Sequence, residues 1–187
     1  PKTFVVCQFN TGINLLAEGK LNFPFIVKKV YGSHGTGVFK VHSIRELELL
    51  YANQFEAGEA LFFQEFLELE RNRKGEIRDY RVWVVRDALT GLPRTIGAVF
   101  RNAKAGEFRT NVRQGGYVTG VKELPAEVSQ LAERSLDAVS GDVAGIDVAQ
   151  TRDGRFFVEE VNISFETGNH SEKLIGNIWA EVLRLLV

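Results

Sequence analysis

Asp147, Glu160 and Asn162 lie in the stretch VAGIDVAQTRDGRFFVEEVN, residues 143–162, and their types and spacing are those of a hard-cation site. Two runs rich in β-branched and aromatic residues are separated by Asp153-Gly154, the pair favoured in a two-residue type I′ hairpin turn. With that turn, counting outward sets Arg152 opposite Arg155 and Asp147 opposite Glu160. Asn162, two residues on, shares the face of Glu160. Directly opposed side chains lie roughly 4.5–5.5 Å apart at Cβ, where two carboxylates repel. A cation between them removes the repulsion, and three hard oxygen donors suit Mg²⁺ rather than zinc or copper. Isolated acids more often face solvent or pair with Arg or Lys. Three oxygen ligands converging in one hairpin favour the metal.

Two other groups of residues suit phosphate chemistry. Gly32-Ser33-His34-Gly35-Thr36-Gly37 sits between two strand-like runs. It is neither a Walker A loop, since Lys-Ser/Thr does not follow, nor a dinucleotide fingerprint, since the spacing is wrong and no helix opens. A hairpin tip with free backbone N–H groups and hydroxyls remains, which can act as a phosphate lid or as a plain turn. Lys28 alternates into the preceding apolar strand, four residues before the lid. Residues 94–113 carry Arg94, Arg101, Lys104, Arg109 and Arg113 against the single acid Glu107. Guanidinium groups suit bidentate contact with phosphate or carboxylate oxygens.

These residues need strands and helices to position them. Phe4–Phe9, Phe25–Val30, Val38–His42 and Leu61–Leu67 read as strands, and Tyr80–Arg86 with Thr95–Arg101 as a long hairpin around Asp87–Pro93. Helices are expected over Thr11–Lys20 (capped by Asn10 or Thr11), Ser43–Asn53, from Pro125 to about Val139, and from a cap at Ser171 to Leu186. Ser43 with Glu46 makes a capping box. Residues 102–120 read as a polar loop. Mixed elements, hairpin links and the lack of a βαβ series indicate α+β rather than a doubly wound sheet.

The 187 residues are 44% hydrophobic and 25% charged, with a net charge of −1. Such a chain buries a sizeable core, and no global field attracts nucleic acid. A basic helix and an aromatic-interleaved sheet motif are also lacking, so nucleic acid is not an expected partner. The lone Cys7 excludes an intramolecular disulfide and reads as a small buried hydrophobe. No apolar run approaches the roughly 18 residues of a membrane span, and nothing at the start resembles a signal peptide. No membrane association and a cytoplasmic location are therefore expected. The chain opens at Pro1 and has no methionine, as a fragment or a processed start would. The apolar last helix leaves a homo-oligomer open.

Taken in order, Phe25-Ile-Val-Lys28, Gly32–Val38, Gln64-Glu65-Phe66, Asp79-Tyr-Arg81, Arg101–Asn111, Gly115-Gly116, Gly145-Ile-Asp147 and Glu160-Val-Asn162 resemble the ATP-grasp superfamily, and within it the RimK-like carboxylate–amine ligases. The resemblance spans residues 24–162. It implies two α+β lobes clamping a nucleotide, with residues 1–67 as the smaller lobe and 68–187 as the larger. It also implies that Lys28 binds ATP phosphates beneath the lid of Gly32, Ser33, Gly35 and Gly37. Glu65 and Phe66 would meet adenine at the hinge, and Asp79 would hold the ribose. Arg109, Thr110 and Asn111 would line the phosphate end, with Arg101, Lys104 and Arg109 serving catalysis near the reacting carboxylate. Asp147, Glu160 and Asn162 would carry Mg²⁺ on the β- and γ-phosphates.

The chemistry implied is phosphorylation of a carboxylate by ATP, then attack by an amine, with a small molecule or peptide as substrate. Mg·ATP binding without catalysis and an ATP-grasp kinase are the alternatives. Three departures from the family pattern stand out. Residues 67–78 are long between hinge and Asp79. Asn162 is followed by Ile-Ser-Phe-Glu166 where Pro-Gly is usual, which implies a different substrate. The family's N-terminal domain and upstream lysine have no counterpart in these residues.

Overall fold

Hydrophobic alternation and hairpin turns place fourteen elements along the described part of the chain. In the computed structural model, residues 1–30, 37–56, 58–110, 112, 115–163 and 168–186 are described, with the backbone alone for 168–170. The elements run β1 (Thr3–Val6), α1 (Phe9–Ala17), β2 (Phe25–Lys29), β3 (Val38–Val41), α2 (Ile44–Gln54), β4 (Leu61–Glu65), β5 (Arg78–Arg86), β6 (Pro93–Asn102), β7 (Tyr117–Gly120), α3 (Ala126–Ala138), β8 (Val143–Gln150), β9 (Phe156–Asn162), α4 (Gly168–Ile175) and α5 (Ile178–Leu186). They divide into two compact units, Pro1–Glu68 and Leu69–Val187.

In the first unit the sheet order is β1-β4-β2-β3, antiparallel throughout. Period-2 alternation sends Phe25, Val27, Val41, Leu61 and Phe63 to one face, where Ile13 and Leu16 of α1 and Leu47 and Leu50 of α2 pack on them. The opposite face carries Ile26, Lys28, Val38, Lys40, Phe62 and Gln64, as the pairing Lys28↔Val38 and Lys28↔Phe62 requires. The expected capping box forms: Ser43 Oγ accepts from Glu46 N–H at 3.2 Å. The Glu46 carboxylate reaches back to His42 N–H at 2.8 Å, one residue before the cap. Helix α1 begins earlier than its sequence suggests, with Gln8 at the N-cap, so neither Asn10 nor Thr11 caps it. Strand β1 ends at Val6, and Cys7, expected in the core, is exposed.

In the second unit the order is β7-β6-β5-β8-β9, again antiparallel. Val128, Ala132 and Leu136, one stripe of α3, cover Val82, Val84, Ala98, Ile146 and Val148 on one face. Ile178, Val182 and Leu185 of α5 cover Trp83, Val85 and Val99 on the other. Two expectations need correction. Residues 102–120 are not all loop, because β7 adds an edge strand to β6. The last helix is two helices: Gly176 takes φ +84°, a conformation glycine adopts without Cβ strain, and ends α4. Asn177 then caps α5, its Oδ1 accepting from Ala180 N–H at 3.1 Å, while Ser171 lies within α4. No described helix is long and apolar enough to cross a membrane.

Candidate functional site

Strand β5 changes character along a single face. Val85 and Trp83 lie under α5, and the next two positions on that face are Arg81 and Asp79. Register then collects charged partners around them. Asp79 stands opposite Arg101 of β6, Arg81 opposite Asp147 of β8, and Asp147 opposite Glu160 of β9, with Asn162 opposite Gly145 one step along.

The side chains are tied into a network. Arg101 donates to Asp79 through Nε at 2.8 Å and Nη2 at 2.6 Å, while its Nη1 lies 2.8 Å from Asp147 Oδ2. Arg81 donates from Nε to Asp147 Oδ1 at 2.5 Å and from Nη2 to Oδ2 at 3.2 Å. Thr110 Oγ1 donates to Asp79 Oδ2. Asp79, Arg101, Thr110 and Asp147 are all buried. Burial pushes the Asp147 carboxyl up against the opposing pull of Arg101 and Arg81. For Arg101 burial acts to lower the value, but Asp79 and Asp147 outweigh it and the guanidinium is held above its ordinary range.

The hairpin is not the two-residue turn expected from Asp153-Gly154. Thr151 N–H donates to the Arg155 carbonyl at 2.9 Å, so Thr151, not Arg152, faces Arg155 across a three-residue loop. Gly154 sits at φ +91°, the left-handed conformation such loops need, and Arg155 N–H donates to Thr151 Oγ1 at 3.1 Å. Pairing is thereby displaced by one residue at Val148↔Val158, and a bulge restores it at Asp147↔Glu160. Val158 and Val161 both pack toward α3, three residues apart, so Glu159 as well as Glu160 is left on the side of Asp147. Both are exposed.

The donor set fits a hard dication. A carboxylate offers about four lone pairs, and Asp147 uses three on its arginines, leaving one on Oδ1. Glu160 presents an exposed carboxylate, and Asn162 offers a carboxamide oxygen to a cation; its buried amide nitrogen, without a hydrogen-bond partner among the described residues, is a donor that calls for an acceptor such as a phosphate oxygen. Among the described residues, no three His, Cys, Asp or Glu side chains cluster into a metal site by themselves.

The remaining expected residues fall as follows. Arg109 pairs with Glu107, its Nη2 2.8 Å from the carboxylate, and holds the Glu107 carboxyl down at about 2. Lys104 is exposed, and Asn111 lies outside the described residues. In the first unit Lys28 lies on the sheet face opposite α1 and α2. Glu65 is exposed, its Oε2 accepting from Lys2 N–H at 3.2 Å. Phe66 lies beneath Lys40, whose Nζ is 3.6 Å from the ring centroid. Gly37 has its Cβ position against the Lys29 side chain, while Gly32, Ser33 and Gly35 lie outside the described residues. Three residues beside the expected ones carry no role in the sequence reading: Arg81, present there only within the stretch Asp79-Tyr-Arg81, Lys40 and Glu159. Arg81 and Lys40 alternate with Asp79 and Val38 respectively, a signal available to the eye. Glu159 depends on the bulge and carries no such signal.

Solved structures define the fold. D-alanine–D-alanine ligase from Coxiella burnetii matches 99% of the chain, and half of its own, with a TM-score of 0.70 at 15% identity. ATP-grasp ligase PsnB, solved with a phosphomimetic variant of its minimal precursor, Mg and ADP, matches 100% of the chain and 52% of its own at TM-score 0.66 and 20% identity. The architecture is the ATP-grasp fold, α+β as expected. In sequence, the chain is 33% identical over 152 residues to the probable alpha-L-glutamate ligase 2 of Hahella chejuensis, covering 81% of this chain and 45% of that protein. It is 27% identical over 164 residues to the coenzyme gamma-F420-2:alpha-L-glutamate ligase of Methanocaldococcus jannaschii, covering 88% and 52%. The model of the RimK-like ATP-grasp domain matches residues 1–186, and the chain belongs to that family. It spans about half the length of the curated relatives it matches.

Proposed function

We propose that this chain is the ATP-grasp portion of an ATP-dependent carboxylate–amine ligase that forms an amide through an acyl phosphate. The observation that carries the proposal is the row Asp147, Glu160 and Asn162 on one sheet face, with Arg81 and Arg101 beside it. Family membership and relatives named glutamate ligases support it, and favour an amino acid such as glutamate as the added amine.

Bound there, Mg²⁺·ATP supplies the phosphoryl group and neutralises charge on its oxygens. Asp147 through its free Oδ1 lone pair, Glu160 and Asn162 would hold the metal. Arg81 and Arg101 fix the Asp147 carboxylate, and Arg101 adds a permanent positive charge where phosphoryl oxygens gain negative charge. A substrate carboxylate oxygen attacks the γ-phosphorus and ADP leaves. The amine nitrogen then attacks the acyl carbon, loses a proton, and inorganic phosphate leaves.

The test is a panel of acids and amines, glutamate and glutamate-terminated peptides included, scored for ADP and phosphate release. Release that requires both an acid and an amine supports the ligase. A stable phosphorylated product with no free phosphate would mark a kinase. Because the chain spans half its relatives' length, tight Mg·ATP binding without turnover is the second reading.

A further inference from the structure

The resemblance in sequence gives Asp79 to the ribose, but its surroundings give it other work. Its side chain is fully enclosed. Oδ1 accepts from Arg101 Nε, and Oδ2 accepts from both Arg101 Nη2 and the Thr110 hydroxyl. A bidentate guanidinium–carboxylate pair of this kind fixes the plane of the guanidinium, not merely its position. With Nε and Nη2 committed, Nη1 is the edge left to meet Asp147, and it does so at 2.8 Å. Register contributes, because Asp79 and Arg101 are directly opposed on β5 and β6. Thr110 follows Arg109, so the same carboxylate also anchors the loop after β6 to the sheet.

We propose that Asp79 is a positioning residue: it orients Arg101 toward Asp147 and pins the Thr110 loop, and it makes no contact with a nucleotide ribose. The turnover part of this proposal rests on the ligase reading above; the placement of Arg101 does not.

The experiment uses the full chain labelled with ¹⁵N-arginine, the Arg101 Nε–H signal being assigned by its loss in Arg101→Lys. The proposal expects a slowly exchanging Arg101 Nε–H in the native protein, unchanged by saturating ADP, and exchanging at least tenfold faster in Asp79→Asn. In Asp79→Asn the ratio of Kd values for ATP and 2′-deoxy-ATP should stay within twofold of the native ratio, with KM for ATP within about threefold and kcat reduced tenfold or more. A native signal that exchanges freely overturns the proposal. So does a signal that changes with ADP but not with 2′,3′-dideoxy-ADP, or a deoxy-ATP discrimination that disappears in Asp79→Asn. If Asp79→Asn does not fold, the native ADP and dideoxy-ADP comparison decides. If the native protein binds no nucleotide, the ligase reading fails by itself. Arg101 exchange in the native protein and in Thr110→Val then decides the positioning role, faster exchange in the variant supporting it and unchanged exchange opposing it.

Discussion

Asp147 stands directly opposite Glu160, and two departures from regular pairing cancel to keep it there. A three-residue loop at Arg152–Gly154 displaces the register by one position, and the bulge at Glu159 displaces it back. A one-residue slip would send Glu160 to the α3 face, so both devices are needed for the acids to share a side.

The loop half of that compensation is testable at Gly154. At φ +91° a Cβ is strained, so Gly154→Ala should cost about 1–2 kcal/mol, while Gly154→Asn should cost less. Chemical denaturation of both variants measures this. An alanine variant as stable as the native chain would mean that the loop is conformationally neutral.

Much of the site was legible because strand alternation is strict. Glu160 and Asn162 share a face by spacing alone, and the capping box at Ser43 and Glu46 is legible in four residues. The facing of Asp147 and Glu160 is expected from a two-residue turn that does not form, and holds because the bulge at Glu159 offsets the longer loop. What alternation could not show is the partner across the strands. Arg81 and Arg101 close on Asp147 only once β5 lies between β6 and β8, a long-range pairing with no local signal. The turn at Asp153-Gly154 departs from the expected two-residue form because the same dipeptide serves two- and three-residue loops, and the Thr151 side chain, bonding to Arg155, favours the longer one. The last helix was read as continuous because its apolar positions persist through Gly176, where the backbone reverses sign of φ.

The two acids of the hairpin should respond differently to loss of charge. Asp147→Asn leaves the buried Arg101 and the partly buried Arg81 facing a neutral amide, and should destabilise the fold by about 3 kcal/mol as well as stop turnover. Glu160→Gln, at an exposed position, should stop turnover while stability stays within about 0.5 kcal/mol. Denaturation curves beside phosphate-release rates separate the two. Equal destabilisation would contradict the network.

Gly12 in α1 sits against the core. A Cβ there would lie 2.6 Å from Phe63 Cε2, and Phe63 is fully buried. Replacing a helical glycine by alanine gains about 1 kcal/mol in propensity, whereas overpacking costs about 1–3 kcal/mol. Gly12→Ala should therefore lower stability by about 1 kcal/mol. A raised melting temperature would show that Phe63 yields freely.

The Glu107–Arg109 pair sets a pH window. The folded carboxyl titrates at about 2 against an ordinary 4.5, chiefly through its hydrogen bond from Arg109. A lowered folded value gives stability that is complete above the unfolded value and is lost as pH falls from there toward 2. The stability difference between the native chain and Glu107→Gln should thus shrink as pH is lowered from about 5 to about 2. A difference that stays constant across that range would mean that the pair contributes nothing through its charge.

The central claim, that Asp147, Glu160 and Asn162 together hold the divalent ion of a bound nucleotide, is tested most directly by Mn²⁺ relaxation of the Asn162 side-chain amide. Adding Mn²⁺·ADP to the ¹⁵N-labelled chain should broaden the Asn162 Nδ2 signals beyond detection in the native protein and leave them sharp in Glu160→Gln. Sharp Asn162 signals in a native protein that demonstrably binds Mn²⁺·ADP would contradict it.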